Sequence, residues 1–138
     1  MTAPTNPGLP VAIVTGASQG LGLALADALA GRGWALVIDA RRSERLDAAV
    51  DRLAARTTVV GVVGDVTDPA HRAELARVAA SLGAVGLLVN NASTLGVSPL
   101  PHLADHPIDA LREVYETNVR KFSYTTLGTR SSVSRGTM

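Results

Sequence analysis

A chain of 138 residues, 46% of them hydrophobic, is long enough for one compact domain with a buried core and too short for two. Its 13 basic and 12 acidic residues nearly cancel, which excludes a global field favouring nucleic acid or an anionic membrane and points to small-molecule partners. The absence of cysteine excludes disulfides, thiolate nucleophiles and sulfur-ligated metals, and it fits a cytoplasmic location.

Residues 1–9 carry Pro4, Pro7 and Gly8 with no basic residue, so they read as a flexible leader and not as a secretory signal. No apolar run approaches the roughly 20 residues of a membrane span. Val11-Ala12-Ile13-Val14 is short, partly β-branched and followed by a glycine-rich turn, which suits a strand buried on both faces of a parallel sheet. From Gly20 to Arg32, the residues Leu21, Ala24, Leu25, Ala28 and Leu29 recur at helical spacing, and Gly31 with Gly33 supplies the stop. Trp34-Ala35-Leu36-Val37-Ile38 reads as the second strand. Ser43 is expected to cap a second helix, whose apolar stripe is Leu46, Ala49, Val50 and Leu53.

Residues 57–63 are β-branched enough for a third strand despite Gly61. Asp68 and Pro69 stand at the cap and first position of a third helix that turns Leu75, Val78 and Leu82 inward and stops at Gly83. Residues 85–89 form a fourth buried strand leading into Asn90-Asn91-Ala92-Ser93. A proline-bearing loop follows, then a helix over about 108–119. This alternation predicts a parallel α/β domain over residues 10–119. Residues 120–138 hold eight Ser or Thr, four basic residues and no acid, with no apolar period; this tail reads as foreign to the fold.

Between the first strand and first helix stands Thr15-Gly16-Ala17-Ser18-Gln19-Gly20-Leu21-Gly22. Gly16 lets the chain turn off the strand, Gly20 lets the backbone approach a pyrophosphate, and Gly22 lets helix pack close on strand. The amides around Gln19 to Leu21 and the positive end of the helix dipole favour an anion, and the Ser18 hydroxyl can add a donor. The Gly-Lys-Ser/Thr of a P-loop is missing. A glycine string after a buried strand, opening a helix within a βαβ unit, points to dinucleotide binding.

The spacing Thr15-Gly16-x-x-x-Gly20-x-Gly22 resembles that of the short-chain dehydrogenase/reductases. Asp65-Val66 after the third strand looks like that family's adenine-contacting pair, and Asn90-Asn91-Ala92 after the fourth looks like its Asn-Asn-Ala-Gly element, with Ser93 where the family usually has Gly. Both fall at strand C-terminal ends, where open α/β sheets bind ligands. Asn118 in Thr117-Asn118-Val119 matches the family's helix-borne active-site asparagine. The resemblance covers residues 10–119. It implies a Rossmann-type, doubly wound sheet, a nicotinamide dinucleotide held by Gly16 to Gly22, Asp65, Val66, Asn91 and Ala92, and hydride exchange with an alcohol or carbonyl.

Cofactor choice turns on Asp39-Ala40-Arg41-Arg42. By the family's spacing the discriminating acid would fall at Ala40 and a phosphate-binding base at Arg41, which favours NADP(H). A one-residue shift would give the role to Asp39 and favour NAD.

The family's chemistry belongs to a Ser and a Tyr-x-x-x-Lys, whose i, i+4 spacing sets an ammonium beside the phenol. Four residues after Tyr115 is Val119, and four after Tyr124 is Gly128. Ser131, Ser132 and Ser134 lie in the unpatterned tail and are not assigned. The expectation is a domain cut after its fourth strand and following helix, with sheet order 3-2-1-4, strand 4 as an uncovered edge, and none of the later helices through which relatives assemble. A binding module without turnover and a nonfunctional fragment are the competing readings. His71, His102 and His106 lack ligand spacing and read as surface loop residues, so no metal is expected. Asp105 and Asp109 read as helix-start residues.

Overall fold

The computed structural model describes residues 8–93, 102–105 and 107–120. The leader before Gly8, His106, and the tail after Arg120 with its serines and Tyr124 lie outside them. Four strands, β1 (Val11–Val14), β2 (Ala35–Ala40), β3 (Val59–Val63) and β4 (Val85–Val89), alternate with helices α1 (Gly20–Gly31), α2 (Ser43–Ala54) and α3 (Pro69–Leu82). A one-turn 3-10 helix at Leu103–Asp105 precedes α4 (Ile108–Tyr115), which opens into a π-helical turn at Glu116–Arg120. All pairings are parallel, in the order β3-β2-β1-β4. This is the expected doubly wound arrangement.

Strand parity divides the core between the two faces of the sheet. Ala12, Val14, Leu36, Ile38 and Ala40 point to the side covered by α1 and α2, where Ala26, Ala30, Leu46, Ala49 and Leu53 meet them. Val11, Ile13, Ala35 and Val37 point to the other side, against Leu75 and Ala79 of α3. The two central strands are buried throughout, as near-continuous apolar runs require. β3 and β4 are only half-buried, since among the described residues each pairs with a single neighbour. β4 is therefore less enclosed than its apolar sequence suggests.

Several expectations are corrected in detail. In α1 the buried residues are Gly22, Ala26 and Ala30, whereas Leu21 is 68% exposed and Ala24 and Ala28 also face outward. The helix is apolar nearly all round, so its composition does not choose a face. The close approach at Gly22 chooses it, and Ala26 and Ala30 follow at i+4 and i+8. Ser43 is the first residue of α2, and Arg42 sits in the cap position without a side-chain bond. β2 extends through Ala40, whereas Thr57 and Thr58 precede β3.

The α3 entry is as expected: the Asp68 carboxylate accepts from the Ala70 amide at 2.9 Å, with Pro69 directly after it and Gly83 at the exit. His71, expected in a surface loop, lies in the first turn of α3 and is buried, because it continues the Leu75 and Ala79 face one turn back. On the outer side of α3, the hydrogen bond from Arg77 holds the exposed Glu74 carboxyl below its ordinary range. No helix among the described residues is long and apolar enough to cross a membrane.

Candidate functional site

Where β1 ends, the chain reverses through Gly16, at φ +65°, and Gly20, at φ +59°, a region that favours glycine. A Cβ on Gly16 would come within 2.9 Å of the Ala92 Cα, and one on Gly22 would overlap the Gly16 carbonyl and the Asn91 side chain. A Cβ on Gly20 would meet nothing within 4 Å, so its direction is open space. The three glycines thus have different jobs. Gly16 and Gly22 let backbones pack, and Gly20 leaves a clearing over the first turn of α1. There the helix's opening amides lack intrahelical acceptors and the dipole is positive.

The turn is fastened from two sides. The Thr15 hydroxyl accepts from the Asn91 and Ala92 amides at 3.1 and 3.0 Å and lies 3.4 Å from the Val89 carbonyl, tying β1 to the end of β4. The Asn91 side-chain amide donates to the Gly16 carbonyl at 3.1 Å. From β2, the Asp39 carbonyl accepts from the Ala17 amide at 3.1 Å, and its carboxylate accepts from the Gly16 amide at 2.7 Å. The other carboxylate oxygen meets His71 Nε2 at 2.7 Å, with both side chains all but buried.

A cleft of about 490 Å³ opens at the C-terminal ends of the strands. Gly16, Ser18, Gln19, Gly20 and Leu21 form one wall; Asp39, Ala40 and Arg41 line the side at β2; Asp65 and Val66 stand at the end of β3, and Asn91, Ala92 and Ser93 beyond β4. The cofactor residues expected from sequence are therefore brought together, except that Gly22 lies beneath the turn as packing. Asp65 also closes a local turn, accepting from the Thr67 amide at 2.8 Å. Thr117 borders the cleft, and Asn118, the next residue, is exposed on the π-helical turn.

Beside the cleft, Ser18, Gln19, Ala40, Arg41, Arg42 and Arg45 surround a cationic recess. Arg45 donates to the Gln19 side chain at 2.5 Å, which orients it across the recess. Ala40, by strand parity, points to this side of the sheet; Asp39, one residue earlier, points to the α3 side.

Two components were missed in the sequence reading, the Thr15 hydroxyl as a hub and the Asp39–His71 pair. Parity carries the second signal: Asp39 continues Ala35 and Val37, and His71 lies four residues before Leu75.

The arrangement suits an elongated anion with a phosphate near Gly20 and a second anionic group near Arg41. In comparison with known proteins, the family model for short chain dehydrogenases matches residues 10–130. The 1-deoxy-11-beta-hydroxypentalenate dehydrogenase of Streptomyces avermitilis is 39% identical over 109 residues, which are 78% of this chain and 40% of that protein. The L-sorbose reductase of Gluconobacter frateurii, solved with NADPH and L-sorbose, superposes with a TM-score of 0.83 at 29% identity, covering 96% of this chain and 51% of that one. A 3-oxoacyl-[acyl-carrier protein] reductase of Brucella melitensis, solved with NAD, gives a TM-score of 0.83 at 25% identity, covering 94% and 51%. The chain thus spans about half the length, or less, of the relatives it matches. With the glycine turn, sheet order and family match in agreement, the chain belongs to the short-chain dehydrogenase family.

Proposed function

We propose that residues 10–119 form the dinucleotide-binding unit of a cytoplasmic oxidoreductase that takes NADP(H) in preference to NAD(H) and acts on an alcohol or carbonyl. The observation that carries this reading is the pairing of the open clearing at Gly20 with the cationic recess at Arg41. The Gln19 to Leu21 amides and Ser18 would hold the pyrophosphate, and Arg41 the 2′-phosphate. Asp65 and Val66 would border the adenine, and Asn91 and Ala92 the nicotinamide ribose. The nicotinamide, when bound, supplies a hydride donor or acceptor. Asn118 is assigned to the substrate end of the cleft on the strength of its neighbour Thr117. Residues 1–9 are assigned to a leader and residues 120–138 to a tail, of which the family match still covers the stretch to residue 130.

Fluorescence titration with NADPH and NADH tests the proposal. Saturable binding, tighter for NADPH, is expected. Gly20→Ala points its methyl into the clearing and should abolish detectable binding of both cofactors, while circular dichroism stays native. Arg41→Ala should weaken NADPH about tenfold, or about 1.4 kcal/mol, and leave NADH unchanged. A folded wild-type chain that binds neither cofactor would refute the assignment. Binding without carbonyl reduction would favour a module that has no turnover of its own.

A further inference from the structure

Asp39 is an acid at the end of β2, beside the place where the recess would hold the adenosine ribose, yet its carboxylate does not face that way. Its side chain is 2% exposed, and both oxygens are engaged on the inner side, by the Gly16 amide and by His71 Nε2. His71 reaches it from α3, on the opposite face of the sheet from α1 and α2. The contact exists because residue 64 is glycine: a Cβ there would overlap the His71 imidazole. Asp39, Gly64 and His71 therefore form one unit, in which α3 holds a carboxylate against the start of the phosphate turn.

We propose that His71 is a positioning residue for cofactor choice. Strand parity sets the Asp39 side chain on the α3 side, and His71 holds its carboxylate there, so that the negative charge clamps the Gly16 amide instead of reading the ribose hydroxyl or repelling a 2′-phosphate. This deepens the NADP(H) reading of the cleft and rests on it. The physical basis is that a carboxylate on the ribose side accepts from a 2′-hydroxyl and opposes a phosphate, whereas one bonded inward does neither. Discrimination is then left to Arg41 and its neighbours.

The test compares dissociation constants for NADPH and NADH across variants of the full chain, with circular dichroism as the folding control. His71→Gln keeps a side-chain donor and should hold the NADH/NADPH ratio within twofold of wild type. His71→Leu leaves the carboxylate without its inner partner and should lower that ratio at least fivefold, mainly through weaker NADPH binding. Asp39→Asn with His71→Leu removes the charge and should restore the ratio. A folded His71→Leu chain with an unchanged ratio overturns the proposal.

Should His71→Leu fail to fold, Asp39→Asn alone decides, since it keeps the shape and a carbonyl for Gly16. A ratio within twofold of wild type supports the inward role. A tenfold loss of NADH affinity alone would show Asp39 reading the ribose and overturn it. A folded wild-type chain binding neither dinucleotide would instead overturn the cofactor reading itself, and this inference with it.

Discussion

The Thr15 hydroxyl accepts from two consecutive amides, those of Asn91 and Ala92, so a valine in its place would leave both donors facing a methyl group. Thr15→Val should destabilise the domain by about 1–3 kcal/mol, the range for stranded buried donors, seen as a lower urea midpoint with an unchanged slope. At this scale the glycines were readable in advance, because each occupies a position defined by spacing alone. Their separate jobs were not: Ala92, far away in sequence, forbids a side chain at Gly16, and at Gly22 the equally distant Asn91 adds to the clash with the nearby Gly16 carbonyl. The inward turn of Asp39 was hidden for the same reason. Its partner belongs to another helix, and two adjacent residues, Asp39 and Ala40, compete for one role until strand parity separates them.

Among the elements, α3 was the most readable, since its cap, first-turn proline and terminal glycine are all local signals. Asp68→Ala removes the bond to the Ala70 amide and should lower stability by about 1 kcal/mol by chemical denaturation, while Asp68→Asn should lower it less. The buried side of α1 was unreadable because leucine and alanine surround it, and only the sheet beneath decides which residues go in. The strands differ in enclosure, and their amides should exchange accordingly. In native-state hydrogen exchange, β1 and β2 should be the slowest, with β3 and β4 faster by virtue of their half-exposed surfaces. Equal protection across all four strands would mean that the outer pair is covered in solution.

At the scale of the molecule, the order β3-β2-β1-β4 follows from the alternation of strands and helices and the short connections between them. The chain steps outward from β1 in one direction and then returns to its other side, which leaves the crevice between β1 and β4 at the carboxyl ends of the strands. The cleft lies there. A ligand bound only by the native state should raise stability by about 2.7 kcal/mol at a hundredfold excess over its dissociation constant. Thermal unfolding should therefore shift upward with NADPH, with Arg41→Ala needing about ten times more ligand for the same shift.

The fit of His71 against Gly64 also has an evolutionary consequence. Among members of the family, positions 39, 64 and 71 should change together: where no imidazole stands at 71, a side chain can return at 64, and an acid at 39 keeps only its bond to the turn amide. Transplanting cofactor preference between members by exchanging only the residues at the cleft surface would then leave behind the part of the selector that lies on the far side of the sheet.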